Sequence, residues 1–157
     1  MKKIILTAMA VFAFSFANAQ DGGFKLGAHL GLPMGDIKDM SSLNLGLDVA
    51  YTWKVADKFN AGIASGYTTY LGKDGADAAG FIPVAATAQY GISDNLFLGA
   101  DLGYGIGVSP DGIDSGFLYQ PKFGYQTEKI EVYAGYKGIS VTGGTWSSVN
   151  LGFNYKF

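Results

Sequence analysis

The chain has 157 residues, 11 basic side chains (all Lys), 13 acidic ones, 24 Gly, no Cys and a formal net charge of −2. Without Cys there is neither a disulfide framework nor a thiolate metal site. Without Arg or a basic excess there is no footprint for a nucleic-acid partner.

The first elements in chain order are those of an export signal. Lys2 and Lys3 precede an apolar run over residues 4–16, and Ala17-Asn18-Ala19 supplies the small residues of a cleavage site. Residues 1–19 therefore read as a signal peptide cleaved before Gln20. The run is shorter than the roughly 20 residues that span a bilayer, which argues against an uncleaved anchor. Removing Lys2 and Lys3 leaves 11 − 2 = 9 basic against 13 acidic residues, a net charge of −4. Residues 20–157 then form one domain.

Eight segments of that domain alternate apolar with small or polar residues, the period of a β-strand. They cover residues 24–32, 43–53, 59–71, 81–90, 96–108, 117–126, 130–137 and 146–157. Short connections (54–58, 91–95 and 127–129) alternate with longer ones (33–42, 72–80, 109–116 and 138–145), as in bacterial outer-membrane barrels. The odd-numbered strands start at 24, 59, 96 and 130, so the chain advances as four hairpins of similar size.

One face of these strands is apolar throughout. Only Ser65 and Pro121 fall outside the apolar set, and no position on that face is charged. The other face mixes Gly with polar residues. A soluble lipocalin-like barrel would need a Thr-, Lys- and Glu-rich outside, and Gly weakens strands without aiding solubility. A membrane barrel turns the apolar face to lipid and must fit every inward side chain into a narrow lumen, where Gly opposite a large polar group is useful. The pattern predicts an all-β fold, a closed eight-stranded antiparallel up-and-down transmembrane barrel. Aromatic girdles are expected from Phe24, Trp53, Phe59, Tyr90, Tyr125 and Phe157 at one rim. Tyr67, Tyr104, Phe117, Tyr119, Tyr136 and Trp146 are expected at the other. Pro83 and Pro121 interrupt strands, and each is expected to mark a bulge or the end of regular pairing.

Inward charges of both signs predict a buried network of Lys25, His29, Asp48, Asp101, Lys122, Glu131 and Lys137, because an unpaired buried charge is costly. Register arithmetic sets Asp48 opposite Gly27 and diagonal to Lys25 and His29. It sets Asp101 diagonal to Lys122, and Lys137 opposite Gln120. His29, the only His, faces the lumen in mid-strand with no Ser in its strand, which is a poor place for a catalytic base. Gly103-Tyr-Gly-Ile-Gly lacks the helix and Lys of a phosphate loop and reads as inward packing.

The architecture, the signal peptide and the terminal run LGFNYKF at 151–157 together resemble the small eight-stranded outer-membrane β-barrel family of the OmpA-transmembrane-domain and OmpX type. The resemblance implies residence in the bacterial outer membrane. It implies that Phe153, Tyr155 and Phe157 form the C-terminal signal read by the barrel-assembly machinery during insertion. Outer-membrane lipids are the expected surroundings, and the expected state is a monomer with no cofactor and no catalysis. The expected role is structural or interactive within the envelope. The alternatives are a narrow passive pore for small solutes or ions and, below it, a lipid-modifying enzyme.

Overall fold

The computed structural model describes residues 22–157; the signal peptide and its cleavage site lie outside the described residues. Eight antiparallel strands follow one another around a closed barrel. They are β1 (Gly22–Met34), β2 (Ser41–Ala56), β3 (Phe59–Gly72), β4 (Ala79–Gly91), β5 (Leu96–Ser109), β6 (Gly116–Gln126), β7 (Ile130–Val141) and β8 (Gly144–Lys156). Every strand pairs with its sequence neighbours, and β1 closes on β8 from Lys25↔Lys156 to Met34↔Ser147. No edge is left to pair with another chain. Each strand has at least the roughly 9–11 residues that a tilted strand needs to cross a bilayer.

The turns at 57–58, 92–95 and 127–129 share one rim with Gly22 and Phe157, here called the terminal rim. The opposite, loop rim carries 35–40, 73–78, 110–115 and 142–143. The fourth of these differs from the sequence expectation. The segment 138–145 is not a long loop: β7 and β8 continue through Ser140↔Thr145 and Val141↔Gly144. They are joined by Thr142 and Gly143, the latter at φ 89°, a conformation that a tight turn asks of Gly.

Neither internal Pro produces a bulge. Beside Pro83 the β3–β4 ladder passes from Ser65↔Val84 to Thr68↔Phe81. Beside Pro121 the β6–β7 ladder passes from Tyr119↔Gly138 to Lys122↔Gly135. In both places pairing lapses for two residues and resumes in the same register, as expected where one N–H is missing. The register shifts fall elsewhere, at Ser41/Leu43, Lys54/Ala56 and Gly80/Phe81.

Outward side chains are those of the apolar face. Leu30, Leu32, Leu47, Leu102 and Leu151 are all more than half exposed. So large an apolar surface in contact with water would oppose folding, at about 25 cal/mol for each Å² left wet. In lipid the same surface costs nothing. Trp146 is the exception among the expected girdle residues. It shares inward parity with Ser148 and Asn150, and its ring lies 5.5 Å from Tyr70 and 5.7 Å from Phe81.

Candidate functional site in the barrel lumen

Eight strands leave an interior that side chains just fill. Here the filling is layered. At the loop half, Ile37, Tyr70, Ala79, Phe81, Ala85, Leu118 and Ile139 form an apolar cluster, with Ile113, Val141 and Trp146 against it. Ile37 comes from a single 3-10 turn, Gly35–Ile37, that folds over the mouth. Tyr70, Phe81 and Ile139 are completely buried. Tyr70 keeps its hydroxyl satisfied by donating to the Trp146 carbonyl at 3.3 Å.

Below this cluster the interior is polar. Asp48 stands opposite Gly27 and one step from His29 along the β1–β2 ladder. The Lys137 ammonium can only donate, and it donates to His29 Nε2 at 3.1 Å. The His29 proton therefore sits on Nδ1 and is donated to Asp48 at 2.9 Å, an assignment that follows from the network. Tyr133 donates its hydroxyl proton to Asp48 Oδ2 at 3.0 Å. Lys122 pairs with Asp101 at 2.9 Å and lies 5.3 Å from the centre of the Tyr133 ring. A cavity of about 40 Å³, large enough for water, lies between Asp48, Asp101, Gln120 and Lys137 on its polar side and Ala85, Leu118 and Pro83 on its apolar side.

A third layer lies towards the terminal rim. Lys25 pairs with Glu131 at 2.7 Å and also donates to Gln89 Oε1. Gln89 Nε2 donates to Glu131 Oε2 at 3.0 Å, and Asn154 Nδ2 to Glu131 Oε1 at 2.9 Å. Thus all seven residues expected in the lumen lie in it, as two groups. Lys25 and Glu131 form one. His29, Asp48, Asp101, Lys122 and Lys137 form the other with Tyr133. Asp48 does not take Lys25, its diagonal neighbour on the sheet; Glu131, reaching over β8 from β7, does. Lys137 lies across from Gln120, as the flanking pairs Tyr119↔Gly138 and Lys122↔Gly135 require, but its bond is to His29. The three ammonium groups are balanced by three carboxylates.

Asp48, His29 and Thr68 also line up as a carboxylate, an imidazole and a hydroxyl, with Thr68 Oγ1 3.1 Å from His29 Nε2. Such a series activates a nucleophile only if a substrate can reach the hydroxyl. Thr68 is completely buried, its oxygen accepts a bond from Asn44 at 2.8 Å, and Lys137 already occupies Nε2. Sequence reasoning missed Thr68, Gln89 and Asn154 as partners; their inward parity was the only signal.

No family model and no curated protein matches the chain. Solved structures do. Ail, the attachment invasion locus protein of Yersinia pestis, superposes with a TM-score of 0.64 at 14% identity, over 88% of this chain and 100% of that one. The fold is that of the small eight-stranded outer-membrane β-barrels. The N-terminal β-barrel domain of Pseudomonas aeruginosa OprF gives a TM-score of 0.53 at 16% identity, over 86% of this chain and 97% of that one. A transmembrane β-barrel designed de novo gives 0.55 at 12%, over 88% and 98%. Likeness to a designed barrel at so low an identity shows how far strand number and alternation, rather than particular residues, specify this architecture.

At the terminal rim of the barrel, Phe153, Tyr155 and Phe157 lie on the outward face of β8. Phe157 is 69% exposed, and its N–H donates to the Phe24 carbonyl at 2.9 Å. Its ring packs 4.9 Å from Tyr155 and 5.5 Å from Phe24. The last residue of the chain thereby helps join β8 to β1.

Proposed function

We propose that the protein is an integral barrel of the bacterial outer membrane with a structural or interaction role in the envelope, closed to solutes and without catalysis. The observation that carries this reading is an uncharged, exposed apolar belt around a lumen packed with a buried apolar cluster at the loop half and paired polar side chains below it. In this reading the terminal rim faces the periplasm, the loop rim faces outward, and the barrel works as a monomer surrounded by outer-membrane lipids. Phe153, Tyr155 and Phe157, aligned on the outer face of the closing strand, are the signal offered to the assembly machinery.

The belt makes a direct prediction. Leu102→Lys places an ammonium in mid-belt, and the refolded barrel should lose about 2–4 kcal/mol in urea titrations in phospholipid vesicles. The same substitution on a water-exposed surface should change stability by less than about 0.5 kcal/mol, and that smaller value would contradict the lipid-facing assignment.

A passive pore is the competing role, since the middle of the lumen is polar. Against it stands the apolar layer of Tyr70, Phe81, Leu118, Ile139 and Trp146, which occupies the loop half of the lumen. Planar bilayers containing the purified barrel should show no steady unitary currents. Long-lived openings would refute the closed lumen. Small-residue replacements in the apolar layer, such as Phe81→Ala with Trp146→Ala, should be needed to obtain any.

A further inference from the structure

We propose that the polar vestibule at the terminal rim is a binding site for a phosphate group, presented by a lipid headgroup or by a free anion. The vestibule has a volume of about 180 Å³, and its walls include Lys25, Lys54, Lys156, Thr52, Asn60 and Gln126. Gly23 forms part of the opening, with nothing within 4 Å of where a side chain would start.

The charges there are not arranged for stability alone. Lys25 and Lys156 are direct cross-strand partners on β1 and β8. Like charges facing each other across a ladder destabilise it. Glu131 neutralises Lys25. Lys156, by contrast, donates to Gln126 Oε1 and to the Thr127 carbonyl, each at 2.9 Å, and both acceptors are neutral. Two of its three N–H donors are thus oriented while no salt bridge is recorded for it among the described residues. Lys54 adds a third ammonium at the mouth. Among the described residues its ion pair is with Asp57, 3.9 Å away with both side chains largely in solvent, so this pairing is weak. Bonding to Lys156 through Oε1 leaves the Gln126 amide N–H₂ as a donor, and Asn60 and Thr52 add an amide and a hydroxyl. Cationic and neutral donors converging on one small opening suit a compact anion with several acceptor oxygens, which is what a phosphate group offers.

The test uses the full barrel folded in a maltoside micelle, so that no phosphate is present at the outset. Inorganic phosphate is titrated at constant ionic strength against chloride, and amide resonances are followed by NMR. Saturable shifts confined to the neighbourhood of Gly23, Thr52, Asn60 and Gln126 are expected. Lys54→Gln and Lys156→Gln should each weaken binding by about twofold to fivefold. Lys54 lies at the exposed rim, so its substitution leaves folding intact even if that of Lys156 does not. A short-chain phosphatidylglycerol added to the same micelles identifies the source: displacement of phosphate from these residues assigns the site to a lipid headgroup, and phosphate binding that the lipid does not displace assigns it to a free anion. Shifts that grow linearly, that chloride reproduces, or that persist unchanged in both Lys variants would overturn the proposal. None of these results depends on whether the barrel conducts or on which face is periplasmic.

Discussion

Replacing Glu131 by Leu should cost the folded barrel about 3–5 kcal/mol, read as a shift in the urea midpoint of refolding in vesicles. Glu131 is 1% exposed and accepts from Lys25, Gln89 and Asn154 at 2.7, 3.0 and 2.9 Å. Leu keeps most of the volume but leaves the Lys25 ammonium, itself 7% exposed, facing the lumen without its counter-charge. The penalty comes from that stranded charge rather than from the lost attraction. The double variant Lys25→Met with Glu131→Leu should therefore recover most of the loss, since exchanging a whole buried pair for apolar groups is often neutral. Breaking the exposed Lys54–Asp57 pair at the rim should change stability by less than about 1 kcal/mol. A Glu131→Leu barrel within about 1 kcal/mol of the parent would mean that water entering from the terminal-rim vestibule solvates the Lys25 ammonium, so that the pair does not behave as a buried one.

The same pair shows where sequence reading stops. Alternation along each strand determines which side chains are inside, and hairpin arithmetic determines which stand side by side on the wall. Asp48 opposite Gly27, and Lys122 diagonal to Asp101, follow from that arithmetic. Lys25 and Glu131 are on β1 and β7, strands that do not pair but flank β8, where Asn154 stands opposite both Gly27 and Glu131. Hairpin register alone does not find such a pair; the closing β8–β1 ladder is needed as well. The apolar layer at the loop half is a different case. Tyr70, Phe81, Leu118 and Ile139 have the parity of inward residues and could have been placed from it. They were hidden because a polar-and-Gly interior was extended to the whole length of every strand. Trp146 was misplaced for the same reason, since an aromatic near a strand end fits a lipid girdle and a lumen plug equally well until its parity with Ser148 and Asn150 is considered. The 138–145 connection looked long because its Gly- and Ser-rich residues resemble a loop; the cross-strand pairs of β7 and β8 continue through it nonetheless.

Gly152→Val should keep most of the barrel from closing although it alters no charge. Gly152 on β8 pairs with Tyr133 on β7, and the Tyr133 ring folds inward over it. A Cβ at position 152 would overlap the Cε1 and Cζ atoms of that ring. A flexible side chain could swing away, but Tyr133 is held at both ends of its reach. Its hydroxyl donates to Asp48 at 3.0 Å, and its face meets the Lys122 ammonium 5.3 Å from the ring centre. Moving the ring gives up a hydrogen bond to a buried carboxylate, about 1.5–3 kcal/mol. Leaving it in place forces β8 outward, with an overpacking cost of about 1–3 kcal/mol. The second route has a further consequence, because β8 is also the strand that closes on β1. A displaced β8 weakens the ladder from Lys25↔Lys156 to Met34↔Ser147, so the loss should appear as a failure to close. In gels run without boiling, Gly152→Val should lack most of the fast-migrating folded form that the parent shows. Tyr133→Ala gives up the same hydrogen bond and should lose stability of its own, but the double variant should cost less than the sum of the two single losses, with a coupling between the two sites of about 2 kcal/mol. If Gly152→Val closes as well as the parent, the ring is not fixed by Asp48 and Lys122, and the polar network is looser than these distances describe.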